Sequence, residues 1–97
     1  MQRTEALTLL SYQRAVLRER FGVRRLALFG STARNEARDS SDLDLLVEFD
    51  GPPTFRAYMG VKFLLEDALQ IPVDLVVADS VRESLQPQIE RECIDVP

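Results

Sequence analysis

The sequence contains no histidine and no tryptophan, one cysteine, and one lysine among its twelve basic residues. Without histidine, every mechanism with an imidazole base and every His-ligated metal is excluded. The single cysteine, Cys93, excludes an internal disulfide and a cysteine-based zinc cage, and its apolar setting predicts a place in the core. Aromatic residues make up 7% of the chain and are scattered, so they build no base-stacking platform. No apolar run approaches the roughly 20 residues of a membrane span. Met1-Gln2-Arg3-Thr4-Glu5 leads into no uninterrupted apolar signal core, so the expected location is the cytoplasm. Carboxylates, hydroxyls, arginines and Lys62 remain available for chemistry.

The 97 residues predict a single domain, 1–97, and a composition of 45% hydrophobic and 29% charged residues is that of a globular chain. Charge is unevenly spread. Residues 1–25 carry six Arg and two Glu, whereas residues 26–51 carry two Arg and six acids. The net charge of −4 argues against general nucleic-acid binding through a broad basic face.

Hydrophobic spacing predicts one helix from Thr4 to about Phe21, capped by Thr4 and stopped by Gly22. Val23 to Phe29 reads as a strand, and Ser31 to Ala37 as a short helix with Ser31 as its N-cap. After a polar loop, Leu43 to Phe49 reads as a second strand. On it, Leu43, Leu45, Val47 and Phe49 share one face, and Asp42, Asp44, Leu46 and Glu48 the other. Thr54 caps a helix from Phe55 to about Leu69, with Phe55, Met59 and Phe63 expected to face inward. Val73 to Val77 is a third strand, Ser80 to Glu83 matches a capping box, and Ile94 to Val96 reads as a short edge strand. Such alternation predicts an α/β (α+β) two-layer domain: a small mixed β-sheet with helices packed on one face.

Three features between Gly30 and Asp74 carry chemistry. A strand ends in Gly30-Ser31 and a helix begins, where free N–H groups attract phosphate. An ordinary capped turn would look the same. Asp42 and Asp44 are two residues apart on a strand, with Cα atoms roughly 6.5–7 Å apart, so both carboxylates can converge on divalent cations. Hard oxygen ligands favour Mg²⁺ or Mn²⁺. Asp74 interrupts an aliphatic strand, a place where an unpaired carboxylate is costly. It joins the pair if its strand neighbours the second; otherwise it is a structural Asp paired to an Arg.

Together these residues resemble the nucleotidyltransferase superfamily that includes DNA polymerase β: Gly-Ser, a helix, an Asp-x-Asp, and a third Asp on a later strand. Ser31 and Asp42 are separated by ten residues, 32–41. The closer resemblance is to the minimal nucleotidyltransferases (MNT proteins), whose pattern is met at Gly30, Ser31, Ala33, Arg34, Ser41, Asp42, Asp44 and Leu45, and again at Val73-Asp74-Leu75. It spans about residues 20–97. Asn35 stands where the family usually has Gly, and Asn tolerates the left-handed backbone better than most residues.

The resemblance implies transfer of a nucleoside monophosphate, usually from ATP, with release of pyrophosphate. Gly30 and Ser31 would hold the triphosphate. Asp42, Asp44 and Asp74 would hold two Mg²⁺, and Asp74 would also activate the acceptor. Arg34 would contact phosphate, and Lys62 is a further candidate, although a polar helix face explains Lys62 as well. A solvated helix face accounts equally well for Arg38. The length leaves no acceptor-binding domain, so another protein is expected to supply the acceptor. Minimal members pair with HEPN-domain ribonuclease toxins as antitoxins and, where catalytic, transfer AMP to a tyrosine hydroxyl of the toxin. The alternatives are a non-catalytic antitoxin acting by binding, and a homodimeric small-molecule nucleotidyltransferase.

Overall fold

The computed structural model describes residues 1–80 and 86–97. The capping box read at Ser80 to Glu83 runs into residues outside this range.

The expected first helix is two helices, α1 (Arg3–Ser11) and α2 (Arg14–Phe21). Neither Pro nor Gly breaks them. The Ser11 hydroxyl donates to the Thr8 carbonyl and the Gln13 N–H bonds the Leu10 carbonyl three residues back. A local side-chain bond thus competes with the regular ladder and turns the chain at Tyr12. Thr4 is not the cap. Gln2 holds that place without a side-chain bond. Gly22 does end α2, in the left-handed region at φ 70°.

Strand β1 (Val23–Phe29) leads directly into α3 (Gly30–Ala33), a single turn and shorter than the expected Ser31 to Ala37. Asn35, at φ 62°, takes the left-handed conformation that stops it. Strand β2 (Leu43–Phe49), helix α4 (Phe55–Leu69) and strand β3 (Val73–Val77) fall where the sequence places them. A 3₁₀ turn at Ala78–Ser80, helix α5 (Gln86–Glu92) and the two-residue strand β4 (Ile94–Asp95) follow.

The four strands form one mixed sheet in the order β3-β2-β1-β4. β1 pairs antiparallel with β2 and β4, and β2 pairs parallel with β3 through α4. Leu26, Leu28, Leu43, Leu45, Val47 and Leu75 point to one face and pack with Leu10, Leu17, Val61 and Leu65 of α1, α2 and α4. This fused cluster is the core. Cys93 stays outside it, half-buried against the Arg25 guanidinium on the opposite face. Burial pushes its thiol pKa up.

The face of α4 differs from the expected one. Val61, Leu65 and Leu69 are buried, whereas Phe55 is 79% and Phe63 59% exposed. The helix carries two apolar stripes, and the one continuous with β3 and α2 packs inward. The Thr54 hydroxyl caps α4 by accepting from the Ala57 N–H at 3.0 Å. Thr54→Ala should therefore cost about 1 kcal/mol, which lowers Tm by roughly 4–8 °C in a domain of this size. A melt with no shift would mean that the cap contributes nothing.

Candidate active site

The β2–β3 register sets the site. Asp44 lies opposite Asp74 in the parallel ladder, and Phe29, the last residue of β1, lies opposite Asp44. Directly opposed residues share a face, so Asp74 joins Asp44 on the face away from the core. Partial burial pushes the Asp44 pKa up, the neighbouring Asp74 carboxyl raises it further, Asp42 adds repulsion, and Arg34 opposes. The acidic pair is therefore destabilised by being ionised in place.

Gly30 occupies the other wall. Its φ is +74°, and a Cβ built there would lie 2.9 Å from Cγ of Asp44. Only a glycine lets the β1–α3 turn close over the Asp44 carboxylate. Ser31 follows in the first turn of α3, where N–H groups have no helical partner. Arg3 braces this loop from α1: its N–H donates to Asn35 Oδ1 and its guanidinium to the Ala33 carbonyl, both at 3.2 Å.

The remaining predicted residues are placed less uniformly. Asp42 is exposed in the loop before β2, near enough to add repulsion at Asp44. Among the described residues no three acidic or thiol side chains close around a common point. The structure thus brings Asp44 and Asp74 together and leaves Asp42 beside them. Arg34 ends α3 and pairs with Glu36 at 3.1 Å and with Glu92 of α5. Lys62 is engaged at the edge of β3. Its ammonium donates to the Val73 carbonyl at 2.5 Å and lies 3.3 Å from Glu66. Arg38 takes part in the loop through its N–H, which donates to Ser41 Oγ at 2.9 Å. A hollow of about 470 Å³ at the opposite end of the sheet, lined by Arg24, Phe49, Gly51, Val77 and Asp79 among others, touches none of these residues.

The donor set suits a hard divalent cation. Two carboxylates side by side in the ladder, one with its pKa raised, form a negative cradle that a cation would relax, with the exposed Asp42 in the loop before β2 as a further oxygen donor. The Glu92 partner of Arg34 was not legible in the sequence. Glu92 is 58 residues from Arg34, and no local pattern signals a contact at that range.

The pair makes a stability prediction. A carboxyl group whose pKa rises on folding adds stability below its unfolded value, about 3.9, and this is lost as pH rises through the native value. Glu48, depressed by Arg25 and Arg24, has the opposite slope but is common to both proteins in a comparison. In EDTA buffer, Asp44→Asn should be more stable than the parent at pH 7, with the gap closing as pH falls through the raised native value of Asp44 and gone below about 4. Equal urea midpoints at pH 7 would rule out a strained pair.

Comparison with known proteins gives a consistent picture. Residues 10–96 match the nucleotidyltransferase domain family. The chain is 37% identical to protein adenylyltransferase MntA of Thermococcus cleftensis over 92 residues, covering 95% of this chain and 93% of that one. A solved structure assigned as a minimal nucleotidyltransferase superposes with a TM-score of 0.82 at 38% identity, covering 97% of this chain and 95% of the other. A chain of a complex between a tri-AMPylated Shewanella oneidensis HEPN toxin and its MNT antitoxin shares the fold, with a TM-score of 0.67 at 22% identity, covering 94% of this chain and 71% of that one. Among the described residues no helix is long and apolar enough to cross a membrane.

Proposed function

This chain belongs to the nucleotidyltransferase domain family, and from that premise we propose that it transfers AMP from ATP to a tyrosine hydroxyl of a HEPN-domain toxin, so acting as the toxin's antitoxin. The observation that carries the chemistry is the in-register Asp44–Asp74 pair beside the Gly30-Ser31 turn. A protein acceptor is inferred from the similarity to a protein adenylyltransferase along nearly the whole chain, and a HEPN toxin from the fold shared with a chain of the complex that holds a tri-AMPylated one.

In this reading Gly30 and Ser31 receive the triphosphate through backbone N–H groups and the Ser31 hydroxyl. Asp42, Asp44 and Asp74 would hold two divalent cations, Mg²⁺ or Mn²⁺. When bound, these ions neutralise charge on the phosphates and on the departing pyrophosphate. The acceptor oxygen attacks the α-phosphorus, the bond from that phosphorus to the bridging oxygen breaks, and pyrophosphate leaves. The Asp74 carboxylate, exposed at the sheet edge, takes the hydroxyl proton. Arg34 supplies positive charge beside Asp44. Positioning and charge neutralisation supply most of the rate, as in other phosphoryl transfers.

The test is incubation with α-labelled ATP, Mg²⁺ and the product of the neighbouring gene. Label on a tyrosine of the partner is expected. No label, with a positive control active in the same assay, overturns the reading. Neutralisation that survives Asp42→Asn with Asp44→Asn assigns the chain to a binding antitoxin instead.

A further inference from the structure

We propose that Tyr58, Lys62 and Glu66 form a staple that positions Asp74, and that Lys62 serves the reaction through β3 and not through phosphate. This deepens the reading above and rests on Asp74 as the proton acceptor.

Among the described residues β3 is an edge strand, with β2 on one side only. In a parallel ladder alternate residues turn their N–H and C=O toward the neighbour, and the residues between turn theirs outward. The Leu43 N–H bonds the Pro72 carbonyl, which makes Val73 and Leu75 the outward residues. Those groups meet a single stripe of α4. The Glu66 carboxylate accepts from the Val73 N–H at 2.8 Å, the Lys62 ammonium donates to the Val73 carbonyl at 2.5 Å, and the Tyr58 hydroxyl donates to the Leu75 carbonyl at 2.5 Å. Residues 58, 62 and 66 lie four apart, so all three point the same way along the helix. The Lys62–Glu66 pair makes the clamp on Val73 two-sided. The Val73 bond also helps hold the Glu66 pKa down, as does the Lys62 charge.

Val73 and Leu75 bracket Asp74. Holding their outward groups fixes the backbone on both sides of a carboxylate that Asp44 repels. Without the staple, the cheapest relief of that repulsion is for the edge strand to move off β2. A free edge also invites pairing with another chain, and α4 closes this one with side chains.

Two experiments decide the matter. In steady-state AMP transfer, Lys62→Met should lower kcat about tenfold, the scale expected for misplacing a reacting group by a fraction of an ångström. KM for ATP should stay within about twofold, and Lys62→Arg should recover most of kcat. A raised KM for ATP with kcat unchanged would overturn the proposal and return Lys62 to the phosphates. By amide exchange, Glu66→Ala should speed exchange at Val73 about tenfold while Leu45 and Val47 in the sheet centre keep their rates. Unchanged Val73 exchange would remove the clamp. The exchange arm needs no acceptor, so a wild-type chain that transfers no AMP sinks the adenylyl-transfer reading while Val73 still decides the staple.

Discussion

Asp44→Asn should reduce AMP transfer by about 10³-fold or more while leaving the fold intact. Asp44 is the best-placed carboxylate of the site: half-buried, opposite Asp74, and covered by Gly30. An amide keeps its shape but brings no negative charge to a divalent cation. Because the ionised pair is held against its own repulsion, the variant should exceed the parent in Tm at neutral pH without added metal. Mg²⁺ should then raise the parent's Tm and not the variant's, since only a state that binds the ion gains from it. Labelled-ATP turnover and thermal melts with and without Mg²⁺ provide the readouts. A variant retaining a tenth of parental activity would displace Asp44 from the centre of the mechanism.

Gly30→Ala is expected to be nearly as damaging to activity, for a steric reason. Left-handed backbone costs a non-glycine residue roughly 1–2 kcal/mol, and forcing an extra methyl into a filled space adds about 1–3 kcal/mol. At Gly30 both apply, because the new Cβ lands on the Asp44 carboxylate. Either Asp44 moves, spoiling its alignment with Asp74, or the turn moves, spoiling the phosphate site. Gly22 supplies the control. Its φ is +70°, yet a Cβ there meets nothing within 4 Å. Gly22→Ala should lose about 1 kcal/mol and keep full turnover per folded molecule. If urea unfolding shows the two variants equally destabilised and both turn over normally, the packing of Gly30 on Asp44 has no functional weight.

The elements were legible to different degrees, and the differences have causes. β1, β2, α4 and β3 were readable because strong breaks bound them: Gly22, Gly30, Asp50-Gly51-Pro52-Pro53 and Pro72. The α1–α2 turn was not, since it depends on a serine hydroxyl choosing a carbonyl three residues back. The inward stripe of α4 was misjudged because its sequence offers two. Periodicity shows that a stripe exists, but only packing against α2 and β3 selects the one with Val61, Leu65 and Leu69.

The same division runs through the site. The sequence alone determined the chemical inventory: carboxylates in place of histidine, a Gly-Ser turn after a strand, an Asp-x-Asp, and an acid within an aliphatic run. These are local facts, and local spacing carries them. Tertiary structure alone decided that Asp44 faces Asp74, that Arg34 meets Glu92, and that Lys62 meets the Val73 carbonyl. Each joins residues 11 to 58 positions apart. Such contacts follow from strand register and helix rotation, which the whole core selects by burying one set of apolar faces and not another.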